Sequence, residues 1–277
     1  MSEATPQPAP LLPIDYVFTG VGAYPVEFVF YYDYAIDVER FALALKKTLT
    51  DFHLVSSRLQ EAGEAGYQLQ PCGQGLVFRA TDVAGDMELG NPYAYLDSVQ
   101  TVVGEPLTRI RLTRVGQGSV LAVSISHLVA DGFSCFYFLS ELAKAFKGQA
   151  VSRPDGRRDW YVPAPIDVPQ RLTNGEALER TGFALAGQRR EIPRERIVWE
   201  NLLVSQKEID ALLAEAGRHT DCRLSRNDVL TAHLWKTYVP KWHRNGALNQ
   251  PNFSLPFDVR RFSDWVSGRY FGRVLGS

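Results

Sequence analysis

GEPLTRIRLTRVGQGSVLAVSISHLVADG, residues 104–132, is the stretch from which the rest of the chain can be read. Leu107 to Val115 sets Leu107, Arg109, Arg111, Thr113 and Val115 against Thr108, Ile110, Leu112 and Arg114, a period of two that predicts a strand. Gly116-Gln117-Gly118 turns the chain, and Val120 to His127 returns as the second arm of a hairpin. On that arm Leu121, Val123, Ile125 and His127 share one face, while Ala122, Ser124 and Ser126 share the other. His127 is therefore expected at the end of an apolar row, where partial desolvation disfavours the imidazolium. A neutral imidazole can accept a proton from a hydroxyl or an amine, which is what a general base must do. The bland alternative is a core histidine satisfied by one hydrogen bond.

His127 opens the string His127-Leu128-Val129-Ala130-Asp131-Gly132, placed after a strand and before a helix. Asp131 has two readings: N-cap of that helix, worth about 1 kcal/mol, or an ion-pair partner fixing the loop that carries His127. Gly132 either supplies a turn conformation or leaves room for a donor molecule to approach. The helix, Phe133 to Phe146, is expected to turn Phe133, Phe136, Tyr137, Leu142, Ala143 and Phe146 inward. Cys135 has no adjacent base and is a poor candidate nucleophile.

Working outward, the first ten residues read as a flexible Pro-rich lead. Val26 to Tyr34 reads as a strand, and Asp37 as the cap of a helix with a stripe of Val38, Phe41, Ala42, Leu45, Leu49 and Phe52. Short strands are expected around Leu54–Leu59, Tyr67–Gln70 and Leu76–Arg79. Residues 151–196 lose all periodicity and read as a crossover without regular structure. Beyond them come a strand from Ile197 to Val204, a helix opened by the capping box Ser205 to Glu208, and a further helix opened at Ser225. A strand from Phe253 to Phe257 then delivers Asp258-Val259-Arg260-Arg261. The expected organisation is an N-terminal domain over residues 1–150, a crossover over 151–195 and a partial second domain over 196–277.

The formal net charge of -1 gives no general attraction to nucleic acid or anionic lipid, so neither is expected as a partner. Three scattered cysteines form no metal-ligand spacing and no disulfide framework, and no metal site is expected. The start, MSEATPQPAP, is not a secretory signal, and no apolar run reaches the ~20 residues of a membrane helix. A cytoplasmic monomer is the expectation. His53 lacks ligand spacing, and His233 sits in a core-like helical pattern. The pairs Arg157-Arg158 and Arg189-Arg190 read as solvated faces of the crossover.

HLVADG resembles the active-site signature of the BAHD acyltransferases, within the superfamily of CoA-dependent acyltransferases and peptide-synthetase condensation domains. Residues 104–132 resemble the strand pair leading into that family's catalytic loop, and Ser225 to Trp235 the helix that begins the core of its second domain. Asp258-Val259-Arg260 with Gly268-Arg269-Tyr270-Phe271-Gly272 resembles its later D-x-R and G-Y-F-G-N pairing.

The resemblance implies an α/β, chloramphenicol-acetyltransferase-like two-domain fold of mixed sheets flanked by helices. It implies His127 as catalytic base and Asp131 as an aspartate turned from substrate toward an arginine, best matched by Arg260, with Arg261 adjacent. Gly132 would support the site. It also implies acyl-CoA as donor substrate, a small-molecule hydroxyl or amine as acceptor, and no permanently bound cofactor. The sequence departs from the family in three places. It ends before any D-F-G-W-G element, so the second domain is expected to be incomplete and the isolated chain nearly inactive. Arg273 stands where the family has asparagine, and Arg269 is inserted before Tyr270. Ser126 occupies the position where condensation domains carry a second histidine, which favours CoA over a carrier protein as donor. Carrier-protein-dependent transfer and a non-catalytic binding fragment are the two alternatives.

Overall fold

Gly116 takes a φ of +57°, a conformation that favours glycine, and so allows a two-residue turn in which Val115 faces Gly118. That turn joins two strands of the computed structural model, which describes residues 7–11, 13–19, 23–63, 66–156, 202–243, 258, 260 and 266–272. The strands in chain order are β1 (Ala9–Pro10), β2 (Pro25–Tyr32), β3 (Ser57–Glu61), β4 (Tyr67–Pro71), β5 (Leu76–Val83), β6 (Thr108–Val115) and β7 (Gly118–Ser126). The α-helices among the described residues are α1 (Val38–Asp51), α2 (Gly132–Phe146), α3 (Gln206–Gly217) and α4 (Arg226–His243).

Two sheets form. The larger has the order β2-β7-β6-β5, antiparallel except for the parallel β5–β6 pair, so it is mixed. The smaller, β1-β4-β3, is antiparallel throughout. Every residue of β7 is buried, because it has a strand on each side and material on both faces. Leu121, Val123 and Ile125 point into a core shared with Ile110 and Leu112 of β6, Phe41 and Leu45 of α1, and Phe138 and Leu142 of α2. The opposite face buries Val120 and Ala122 with Val115 and Tyr95. The parity read from the sequence thus separates the two faces of β7 correctly.

Asp37 caps α1 by accepting the Arg40 N–H at 2.8 Å, and Phe41, Ala44, Leu45 and Thr48 are its buried residues. The inner face of α2 needs correction. Its buried residues are Ser134, Cys135, Phe138, Glu141, Leu142 and Ala145, while Phe133 and Phe136 are 38% and 50% exposed. The helix carries aromatic residues around most of its girth, so periodicity could not choose the face. Glu141 settles buried because its carboxylate accepts the Ser152 N–H at 2.7 Å and pairs with Lys144 at 2.6 Å. The expected N-terminal lead is also shorter than read, since Ala9–Pro10 pair with Leu69 and Gln68 of β4.

The chain divides into two compact units, residues 1–177 with 256–277, and residues 178–255. The segment expected as a partial second domain, 196–277, is thus shared between the two. Its last part stays with the first unit because Asp155 bridges to Tyr270 and Phe271 packs edge-on against Phe52 at 5.3 Å. Within the second unit, Ser205 and Glu208 form the capping box of α3. Ser225 and Asp228 exchange equivalent bonds at the start of α4, and the two helices pack together. Residues 202–205 precede α3 without strand structure. Most of the expected strand Ile197–Val204, the strand Phe253–Phe257 and the crossover beyond Gly156 lie outside the described residues. No helix among the described residues is long and apolar enough to cross a membrane.

Ile125 is wholly buried and Leu43 is 69% exposed. Ile125→Ala is expected to cost about 2–5 kcal/mol of stability and Leu43→Ala less than about 0.5 kcal/mol, read from urea unfolding curves. Equal costs would contradict this placement of the core.

Candidate active site

His127 is the first residue past the end of β7, where the ladder stops and a turn begins. Ser126 builds that turn. Its carbonyl accepts the Val129 N–H at 2.9 Å, and its hydroxyl accepts the Leu128 N–H at 3.3 Å and bonds Thr101 at 2.8 Å. Leu128, Val129 and Ala130 are completely buried, whereas His127 is half-buried. The loop is thus pinned by three apolar side chains, leaving the imidazole as its accessible group. The ring of Phe18 lies 4.4 Å from the imidazole, centroid to centroid, and Tyr24 meets it edge-on at 5.8 Å.

At Asp131 both sequence readings hold together, because the two carboxylate oxygens do different work. Oδ1 accepts the Ser134 N–H at 2.8 Å and caps α2. Oδ2 accepts from Nη1 of Arg260 at 2.9 Å. A carboxylate at a helix N-terminus is further favoured by the helix dipole. Gly132 is corrected in one respect. It is the first residue of α2, its φ is not positive, and a Cβ there would meet nothing within 4 Å. No turn conformation requires glycine here, and the space beside it is open.

Arg260 is the best-bonded side chain of the site. Its side chain is 2% exposed, and the guanidinium uses all five N–H groups. Nε donates to the Tyr270 carbonyl at 3.2 Å, and Nη1 to Asp131 and Asp258, each at 2.9 Å. Nη2 donates to the Ser134 hydroxyl at 3.1 Å and the Gly272 carbonyl at 2.8 Å. Phe133 presents its ring face at 4.6 Å, adding a cation–π contact. The Ser134 hydroxyl in turn donates to the Gly272 carbonyl at 2.8 Å and accepts the Gly272 N–H at 3.1 Å. Gly272 has a φ of +147°, and a Cβ there would lie 2.6 Å from the Tyr270 hydroxyl. Glycine is needed at that point.

The sequence brought His127, Asp131 and Arg260 forward, and the structure joins the last two directly. It places Gly132 on the same helix terminus. Arg261 lies outside the described residues. Ser134, Asp258 and Gly272 were missed as partners of the arginine; the signal for Ser134 was its position three residues after a capping aspartate, which puts its N–H on the cap. Phe18 left no sequence signal at all. Burial pushes the Cys135 thiol well above its ordinary range, so it is no nucleophile at neutral pH. Burial, with Arg153 nearby, lowers the His53 pKa, and His53 lines a cavity of about 320 Å³ with Asp51, Arg153 and Phe271. An apolar cavity of about 380 Å³ lies among Phe30, Tyr32, Phe41, Leu121, Phe136 and Phe146. Neither includes His127. His233 is exposed on α4.

Arg260→Ala is expected to cost about 3–5 kcal/mol, since it strands the buried Asp131 carboxylate. Asp131→Asn, which keeps a capping side chain, should cost less. Chemical denaturation of both and of the double variant should give a coupling of about 0.5–3 kcal/mol; additive losses would contradict a direct pair. Iodoacetamide should label exposed Cys222 and spare buried Cys135 in the native chain.

A profile of the Transferase family matches residues 30–274. Spermidine hydroxycinnamoyltransferase 1 of Oryza sativa subsp. japonica is 28% identical over 218 residues, which cover 70% of this chain and 48% of that protein. The chain spans about half the length of the curated relatives it matches. Among solved structures, F. graminearum TRI101 complexed with coenzyme A and T-2 mycotoxin superposes with a TM-score of 0.62, covering 98% of this chain and 68% of that one at 16% identity. Vinorine synthase gives 0.59, covering 91% and 61% at 18% identity. These two likenesses show the chloramphenicol-acetyltransferase-like α/β fold. With the profile match over nearly all of its length, the chain belongs to the Transferase family, the BAHD-type acyltransferases.

Proposed function

We propose that this chain carries the base-bearing part of an acyl-CoA-dependent acyltransferase, in which His127 is the general base. The carrying observation is the placement of His127 at the end of a fully buried strand, on a loop whose next three residues are buried and whose far end is tied to Arg260. Such an imidazole is held in place yet half-accessible, as proton transfer to a diffusing acceptor requires.

In the reaction, His127 takes the proton from the acceptor hydroxyl or amine as its oxygen or nitrogen attacks the thioester carbonyl. The tetrahedral intermediate collapses with cleavage of the C–S bond, and the departing CoA thiolate recovers the proton from the imidazolium. No acyl-enzyme forms. Asp131 and Arg260 act through the loop and touch neither substrate. The open space beside Gly132 gives the thioester room. TRI101 was solved as a complex with coenzyme A, which supports CoA as the donor carrier. The rice relative is a hydroxycinnamoyltransferase, which supports an aromatic acyl group of that kind. The setting is cytoplasmic, with a small-molecule acceptor.

The test is acyl transfer by the natural protein in its full length, with several acyl-CoAs and simple amine or alcohol acceptors. His127→Ala should lower kcat by roughly 10²–10⁴-fold while leaving the far-UV spectrum unchanged. Turnover equal to that of the parent protein would overturn the assignment.

A further inference from the structure

We infer that the N-terminal stretch, through its described residues Ala9–Leu11, Pro13–Thr19 and Tyr24, is part of the catalytic apparatus, with Phe18 as a positioning residue for His127. This rests on the reading of His127 as the base. The segment is anchored at its far end. Ala9 and Pro10 add a strand to β4, the Leu11 N–H donates to the Tyr67 carbonyl at 3.3 Å, and the Tyr67 N–H donates to the Tyr16 hydroxyl at 3.2 Å. Gly66, with a φ of +82°, makes that last contact possible, because a Cβ there would stand 2.3 Å from the Tyr16 hydroxyl. A 3-10 turn, Pro13–Phe18, carries the chain onward and buries Asp15 completely.

At its other end the segment delivers two rings to the imidazole. Phe18 is 7% exposed and lies over the imidazole at 4.4 Å and 37°. Tyr24 stands edge-on to Phe18 at 5.5 Å and to His127 at 5.8 Å. Three mutually packed rings leave the imidazole little freedom to swing about χ1 and χ2, since aromatic pairs hold preferred offset and edge geometries. The backbone of the loop fixes where His127 starts; Phe18 fixes where its ring nitrogens point. A misplaced base loses rate even when it remains chemically competent.

The test reads position and catalysis separately. In the 277-residue chain, the His127 ring protons, assigned by their loss in His127→Gln, should lie upfield of those of exposed His219 and His233 because of the neighbouring ring currents. Phe18→Leu, which keeps apolar bulk and so the fold, should move them back toward those of His219, and Phe18→Tyr should restore the parent position. In the full-length natural protein, Phe18→Leu should lower kcat by roughly 10–10²-fold with little change in KM, and Phe18→Tyr should recover it. Unmoved His127 signals in Phe18→Leu, or an unchanged kcat in an active protein, would overturn the inference. Failure of the general-base reading itself would show in His127→Ala, whatever the ring signals do.

Discussion

A guanidinium sealed from water is tolerable only when every one of its N–H groups finds an acceptor and its charge finds an opposite one. Arg260 meets both conditions, with two carboxylates, two carbonyls, a hydroxyl and an aromatic face around it. Its planar fork is what lets one side chain reach Asp131, Asp258, Ser134, Tyr270 and Gly272 at once; the ammonium of a lysine could not. Such a cluster is costly to disturb, because removing the arginine leaves the Asp131 carboxylate buried without this charge partner. The N-terminus of α2, the Asp258–Arg260 pair and the stretch ending at Gly272 are therefore held as one object. The loop carrying His127 runs straight into that object.

The consequences run back along the chain. Asp131 is both the last residue of the His127 loop and the cap of α2, so the helix starts where the ion pair sits. The other end of the loop is fixed by β7, whose pairing with β2 and β6 leaves no position exposed. His127 thus sits between a rigid sheet and a charge cluster. Its ring is the one group of the loop that reaches outward, and the packing of Phe18 constrains that ring.

What could be read from sequence depended on how local the cause was. The β6–β7 hairpin, the cap at Asp37 and the capping box at Ser205 follow from interactions within a few residues, and they stand where periodicity and side-chain type put them. Asp131 was legible for the same reason, and an ion pair was expected of it too, but the residues around it could not name the partner, which lies 129 residues away. Arg260 came from the family resemblance instead. The buried face of α2 was misjudged because Phe133 and Phe136 look like core residues, yet serve the arginine and Phe28 of β2. Phe18 was invisible: a single aromatic residue in an irregular segment carries no period, and its partner lies across the fold. The grouping of residues 256–277 with the first unit was likewise unreadable, because it follows from the Asp155–Tyr270 bridge and the burial of Phe271.

The central claim is that the buried arginine orders the loop that carries His127. Amide hydrogen exchange, resolved by residue and compared between the native chain and Arg260→Met, tests it most directly. Loss of the guanidinium should speed exchange at Leu128, Val129, Ala130 and Ser134 while the β6–β7 amides keep their protection. Unchanged exchange from Leu128 to Ser134 in that variant would contradict the account.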